Sequence, residues 1–190
     1  MTEYGFLIIG GVLWNNVIVT HLLGLYPFLG ERPSTVAQNG VLGLITTGVV
    51  TVTVAVGLLV RRLLLVPSQI VYLEHLFLVV TLIVILALVD RVLTDRAHPW
   101  IPEYPSLRVF LNSAALGIVI LTLESGGDTA QAILSALGLG LGVTVLLVLV
   151  QAIESRPETN LVPAWLRGMP LQFMTLGMIA LALRGFAGIG

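Results

Sequence analysis

The chain has 190 residues, 57% of them hydrophobic and only 10% charged, with a formal net charge of −1, and its mean hydropathy is +1.03. Such a composition cannot cover a water-soluble surface with polar side chains, so the chain reads as an integral membrane protein and not as a soluble catalytic domain. Every cation is arginine and none forms a basic tract, so nothing points to nucleic acid; the absence of cysteine excludes disulfides, thiolate nucleophiles and any metal centre held by this chain's own thiolates.

A spanning helix needs about 20 mostly apolar residues. Six such runs stand in the chain, at approximately 4–26, 37–60, 69–89, 107–123, 129–153 and 169–189, separated by segments rich in charge, Pro and Gly. They leave no room for a separate soluble domain, so residues 1–190 form one membrane domain. The first run lacks a basic flank and a small-residue cleavage site, unlike a cleavable signal peptide. The long connection at 90–106 divides the spans into two sets of three. An odd number of spans per set requires the second to lie inverted relative to the first, which predicts an all-α fold of two inverted three-helix repeats, approximately 1–95 and 104–190.

The first span contains Asn15, Asn16, Thr20 and His21 ahead of Gly24 and Pro27, and is expected to break toward its end. Non-helical backbone at membrane depth is tolerated only where protein or water satisfies it, so such a break marks either a site or a close helix contact. The amides equally suit hydrogen bonds between neighbouring helices and nothing more. His21 has no second histidine at ligand spacing and reads as a packing residue more readily than as a proton carrier. The second span is rich in Gly, Thr and Val. Asp90 closes the apolar run of the third span and is followed by Arg91; it could meet a passing cation, but the neighbouring guanidinium favours a solvated pair.

The fourth span carries Asn112 and Ser113 before Leu116-Gly117, an order that echoes Asn16 before Leu23-Gly24, and a break is expected there too. The fifth contains Gly138, Gly140 and Gly142, which suit close helix packing. The sixth carries Arg184 near its end, where a long side chain can reach the nearer surface. With both termini on one face, that face holds Arg61, Arg62 and Arg184. The opposite face holds Arg32, Arg91, Arg96, Arg108, Arg156 and Arg167, which favours termini outside, with the Arg61-Arg62 pair dissenting.

Across nearly its whole length the chain resembles the small six-helix membrane subunits of Rnf-type and Nqr-type ion-translocating electron-transport complexes, most closely the branch that holds the A-type subunit of the former and the E-type subunit of the latter. The stretch "NNVIVTHLLGLYPFLG" matches a pattern of paired Asn followed by Leu-Gly-Leu-Cys-Pro-Phe-x-Gly, and "LNSAALG" matches Thr-Asn-Cys-Ala-x-Leu-Gly. "VPAWLRG" and the closing "LALRGFAG" match in the same order, and Asp90 stands where the family has Glu, at the same distance from Tyr72-Leu73.

The resemblance implies a bacterial inner membrane location, pairing with a related subunit of opposite orientation, and further subunits of such a complex. It also implies a [2Fe–2S] cluster held midway across the membrane by two cysteines from each subunit. Here Tyr26 and Ser113 occupy those two positions. Phenol and aliphatic hydroxyl are poor iron–sulfur ligands beside thiolate, so this chain is expected to bind no cofactor, with Tyr26 filling the vacated space and its hydroxyl seeking a partner such as Ser113. Asn15, Asn16, His21, Asp90 and Asn112 are then candidates for an ion pathway or subunit interface. The alternatives are a stand-alone transporter or channel, built as a homodimer or paralogue pair, and a scaffold docking a peripheral enzyme on the loops at 90–106 and 154–168.

Overall fold

A computed structural model describes residues 2–13, 15–24, 35–95, 106–124, 128–156 and 162–185, and among these every regular element is helical. In chain order they are α1 (Thr2–Val12), α2 (Val17–His21), α3 (Val36–Val60), α4 (Glu74–Asp95), α5 (Ser106–Glu124), α6 (Thr129–Glu154) and α7 (Met169–Arg184). A π-helical turn, Arg61–Leu65, extends α3, and short 3-10 turns precede α4 and α7. Three stretches are long and apolar enough to cross a membrane unaided, Val36–Leu65, Val71–Val92 and Thr129–Glu154, with shorter apolar helices at Ser113–Leu123 and Met169–Arg184.

The helix starts follow local chemistry. Thr35 and Gln38 form a reciprocal capping box on α3, with Gln38 N donating to Thr35 Oγ1 at 3.2 Å and Thr35 N to Gln38 Oε1 at 3.0 Å. Asp128 and Gln131 do the same for α6. Pro170 in the first turn of α7, after Gly168 at φ 76°, sets the last helix.

The core is the antiparallel pair α3 and α6, with the other helices arranged around it. Asn39 Nδ2 donates to Gln151 Oε1 at 3.1 Å at one end of the seam, and Thr47 and Thr144 pair their hydroxyls at 3.2 Å near its middle. Small residues let the backbones close: a Cβ on Gly43 would stand 2.6 Å from Thr144 Cα, and one on Gly140 2.9 Å from Thr47 Cα. Gly138 and Gly142, on a second face of the same helix, receive α1, since their added Cβ atoms would meet Ile8 and Gly11 respectively. The expected packing role of these three glycines therefore holds, divided between two neighbours. Because Ile8 meets Gly138 and Gly11 meets Gly142, α1 runs parallel to α6. The α4 helix seats Leu78 against Gly57 of α3, while α5 lies against α3, α4 and α6, and α7 packs more lightly on α6.

Two boundaries differ from the sequence reading. The fourth span is unbroken: α5 runs continuously through Asn112 and Ser113, since neither Pro nor Gly precedes Gly117 to interrupt its ladder. The third span starts later, at Glu74, because Gln69 takes a positive φ of 56° and the chain turns there. It also continues past Asp90 and Arg91 to Asp95, which places Asp90 inside α4 instead of at its end.

Candidate functional site at the helix break

The first span is broken, as expected, but earlier than Gly24–Pro27. Helix α1 stops at Val12 and α2 begins at Val17, and Asn16 bridges the gap. Its Oδ1 accepts from Ile18 N at 3.1 Å, capping α2, while its Nδ2 donates to Val12 O at 3.4 Å on the outgoing end of α1. One side chain thus serves an orphan acceptor and an orphan donor across the interruption, a task that suits an amide, whose donor and acceptor are separate atoms. The residue is 1% exposed. Thr20 Oγ1 donates to Asn16 O at 2.8 Å, and Asn15 N donates to Gly10 O at 2.9 Å, which satisfies two further carbonyls at the break.

The depth of the break follows from its neighbour. Gly142 lies halfway along α6, and a Cβ there would stand 2.5 Å from Gly11 O and 3.0 Å from Asn16 Nδ2. A membrane-spanning α6 therefore holds the break near the bilayer midplane. The α2 helix ends equally abruptly, with Leu22 in the left-handed region at φ 55° and Gly24 at φ 77°. Leu23 then packs directly onto Gly117 of α5. The two Leu-Gly pieces that echo each other in sequence thus meet in space.

The remaining sequence candidates divide. Asn15 and Asn16 belong to the break, with Asn15 exposed. Ser113 is exposed on α5, one helical turn before Gly117 and so on the side that faces the Leu23 contact. His21 is the exposed last residue of α2. Asp90 is half-buried on α4, whose packing is to α3 and α5. Asn112 lies in the first half of α5, its side chain outside the described residues, and Tyr26 and its suggested contact with Ser113 lie outside them as well. Among the described residues no group of three or more His, Asp or Glu is placed to hold a metal ion. Sequence reasoning missed Gly10-Gly11 and the Thr47–Thr144 pair; the glycine doublet before two asparagines was the available signal.

The dissenting arginines are both engaged. Arg61 forms an ion pair with Glu74 at 3.4 Å, and Arg62 donates to the Thr129 hydroxyl at the start of α6. The end of α3 and the start of α6 therefore share one face, called below the Arg62 face, and α1 starts from it too.

The Rnf-Nqr subunit family of membrane proteins matches residues 4–190. The chain belongs to that family. It is 33% identical over 195 residues to the A-type subunit of the ion-translocating oxidoreductase complex of Azoarcus sp., covering 100% of this chain and 98% of the relative. The corresponding protein of Aeromonas hydrophila is 32% identical over 194 residues, with the same coverage. That of Syntrophotalea carbinolica is 32% identical over 188 residues, covering 96% and 95%. As an Rnf-Nqr subunit the chain is a membrane protein, and its relatives match it from end to end.

Proposed function

We propose that the chain is the A-type membrane subunit of an ion-translocating oxidoreductase complex in a bacterial inner membrane, and that it supplies no ligand to an iron–sulfur cluster. The full-length match to subunits of that name carries the first part. The donor set carries the second. The two positions that correspond to cluster cysteines hold the phenol of Tyr26 and the hydroxyl of Ser113, and the chain contains no cysteine elsewhere. These residues do not fit a [2Fe–2S] cluster, so no electron step is routed through them.

The proposed plan remains six spans in two inverted halves beside a related subunit of opposite orientation. One observation supports it: the middle helices of the halves, α3 and α6, pack antiparallel as the core of the molecule. The exposed Ser113 and His21, next to the Leu23–Gly117 contact, offer the partner a surface.

Affinity purification of the tagged chain from its native membrane tests the reading. The expected result is copurification of a related six-helix subunit together with flavin- or ferredoxin-like subunits, with no iron bound when the chain is isolated from them. Recovery of the chain by itself as a functional homodimer overturns the complex. A stoichiometric cluster signal in electron paramagnetic resonance that Ser113→Ala or Tyr26→Phe abolishes overturns the loss of ligands.

A further inference from the structure

Most threonine hydroxyls within the spans follow one pattern. Thr46, Thr47, Thr51, Thr53, Thr81, Thr122 and Thr144 each donate to the carbonyl four residues earlier. Ser135 of α6 makes no such bond, and neither its hydroxyl nor the Asn15 side-chain amide has a hydrogen-bond partner among the described residues. Both groups line one cavity of about 240 Å³ between α1, α5 and α6, together with Thr122, Leu139 and the backbone of Gly10-Gly11. An unpaired amide and hydroxyl in hydrocarbon are strongly disfavoured, and water in the cavity would supply the exposed Asn15 and half-buried Ser135 with the partners they lack. At roughly 30 Å³ per water molecule, the space admits several.

The positions of the lining residues give the cavity its direction. Thr122 belongs to the last turn of α5 and Ser135 to the second turn of α6, both toward the Arg62 face, whereas Asn15 and Leu139 stand near the level of the break. The cavity thus runs from near that face to mid-depth. Among the described residues no charged side chain lines it, and the side chains of Asn15, Thr122 and Ser135 each offer an oxygen. The α1 helix ends against it, and the carbonyl end of a helix is the negative end of its dipole. Broken helices in transport proteins use such ends toward cations.

We propose that this cavity is an aqueous vestibule, open to the Arg62 face, that brings a hydrated monovalent cation to the carbonyl end of α1. Only the choice of a cation rests on the ion-translocating reading; the hydration stands on the unpartnered side chains. Because this chain has no cysteine, an introduced thiol is the one labelled site on it once the subunit is separated from the others after reaction. Ser135→Cys and Asn15→Cys are introduced singly into the full complex in oriented membrane vesicles, with lipid-facing Ile83→Cys as control. Each is treated with a trimethylammonium-bearing and a sulfonate-bearing methanethiosulfonate, every rate normalised to that of a free thiol in solution.

Thiolate forms only where water reaches, so both variants should react from the Arg62 face and the control should not. The cationic reagent should be faster by about tenfold. Reaction no faster than at Ile83→Cys means lipid or protein fills the cavity and overturns the vestibule. Equal or faster reaction with the sulfonate overturns the cation. Should Asn15→Cys fail to assemble, Phe6→Cys, on the same cavity, takes its place. Failure with the complex intact removes the vestibule and leaves standing the assignment to the complex.

Discussion

Asn16 shows how one side chain can hold an interruption that the backbone alone could not sustain in lipid. Its two hydrogen bonds span the ends of α1 and α2, and its amide also fills the space left by Gly142. Asn16→Ala removes the cap and leaves Val12 O without a donor, at a combined cost of about 2 kcal/mol. Asn16→Ser keeps an acceptor for Ile18 N and should fall between the two. Thermal unfolding of the purified protein in detergent checks the order wild type, Ser, Ala. If both variants melt like wild type while ion transport is lost, Asn16 serves as a ligand and not as the clamp described here. The candidate amides were legible in the sequence, because paired polar residues stand out in an apolar run. Their separate roles were not, since whether an amide caps a helix or faces a cavity depends on the fate of the chain on both sides of it.

At the scale of the elements, the glycines of α6 decide how closely three helices approach. Gly142→Ala would place a methyl group 2.5 Å from Gly11 O, which the backbone cannot yield without moving α1. The expected loss is about 1–3 kcal/mol, with the break itself disturbed. Gly48→Ala in α3 is the control, since an added Cβ there meets nothing within 4 Å; it should be neutral or stabilising by up to about 1 kcal/mol through helix propensity. Chemical or thermal denaturation of both variants in the same detergent separates them. Equal behaviour would mean that the seam tolerates a methyl group and that the α1–α6 contact is loose. The Gly-x-Gly-x-Gly spacing told of close packing, but its division between α1 and α3 depended on which helices lie on which face. The expected break in the fourth span failed for a related reason: Asn and Ser inside an apolar run do not interrupt a helix unless the backbone has somewhere else to bond.

For the whole molecule, orientation is the property most open to test. Arg61 and Arg62 sit on the face from which α1 starts, one paired with Glu74 and the other bonded to Thr129, while the sequence assigns six of the nine arginines to the opposite face. By the arginine excess, the Arg62 face is expected outside. Ala130→Cys, exposed at the start of α6, should react with an impermeant thiol reagent added to whole spheroplasts, and Ser155→Cys, exposed just past its end, only after the membrane is opened. The reverse pattern would invert the assigned topology and move the mouth of the vestibule to the cytoplasm.

Composition alone determined that this chain lives in a bilayer, because a surface so poor in charge has no other stable solvent. Its motifs determined the family, and the missing thiols determined which chemistry its own side chains cannot perform. The tertiary structure decided which polar groups in the spans are satisfied and which are not. Most hydroxyls bond within their own helix and could have been assigned locally, whereas Asn15 and Ser135 are defined by a cavity that α1, α5 and α6 form only when packed. Hydrogen-bond satisfaction in a membrane is a property of the assembled helices, and a single strand of sequence does not carry it.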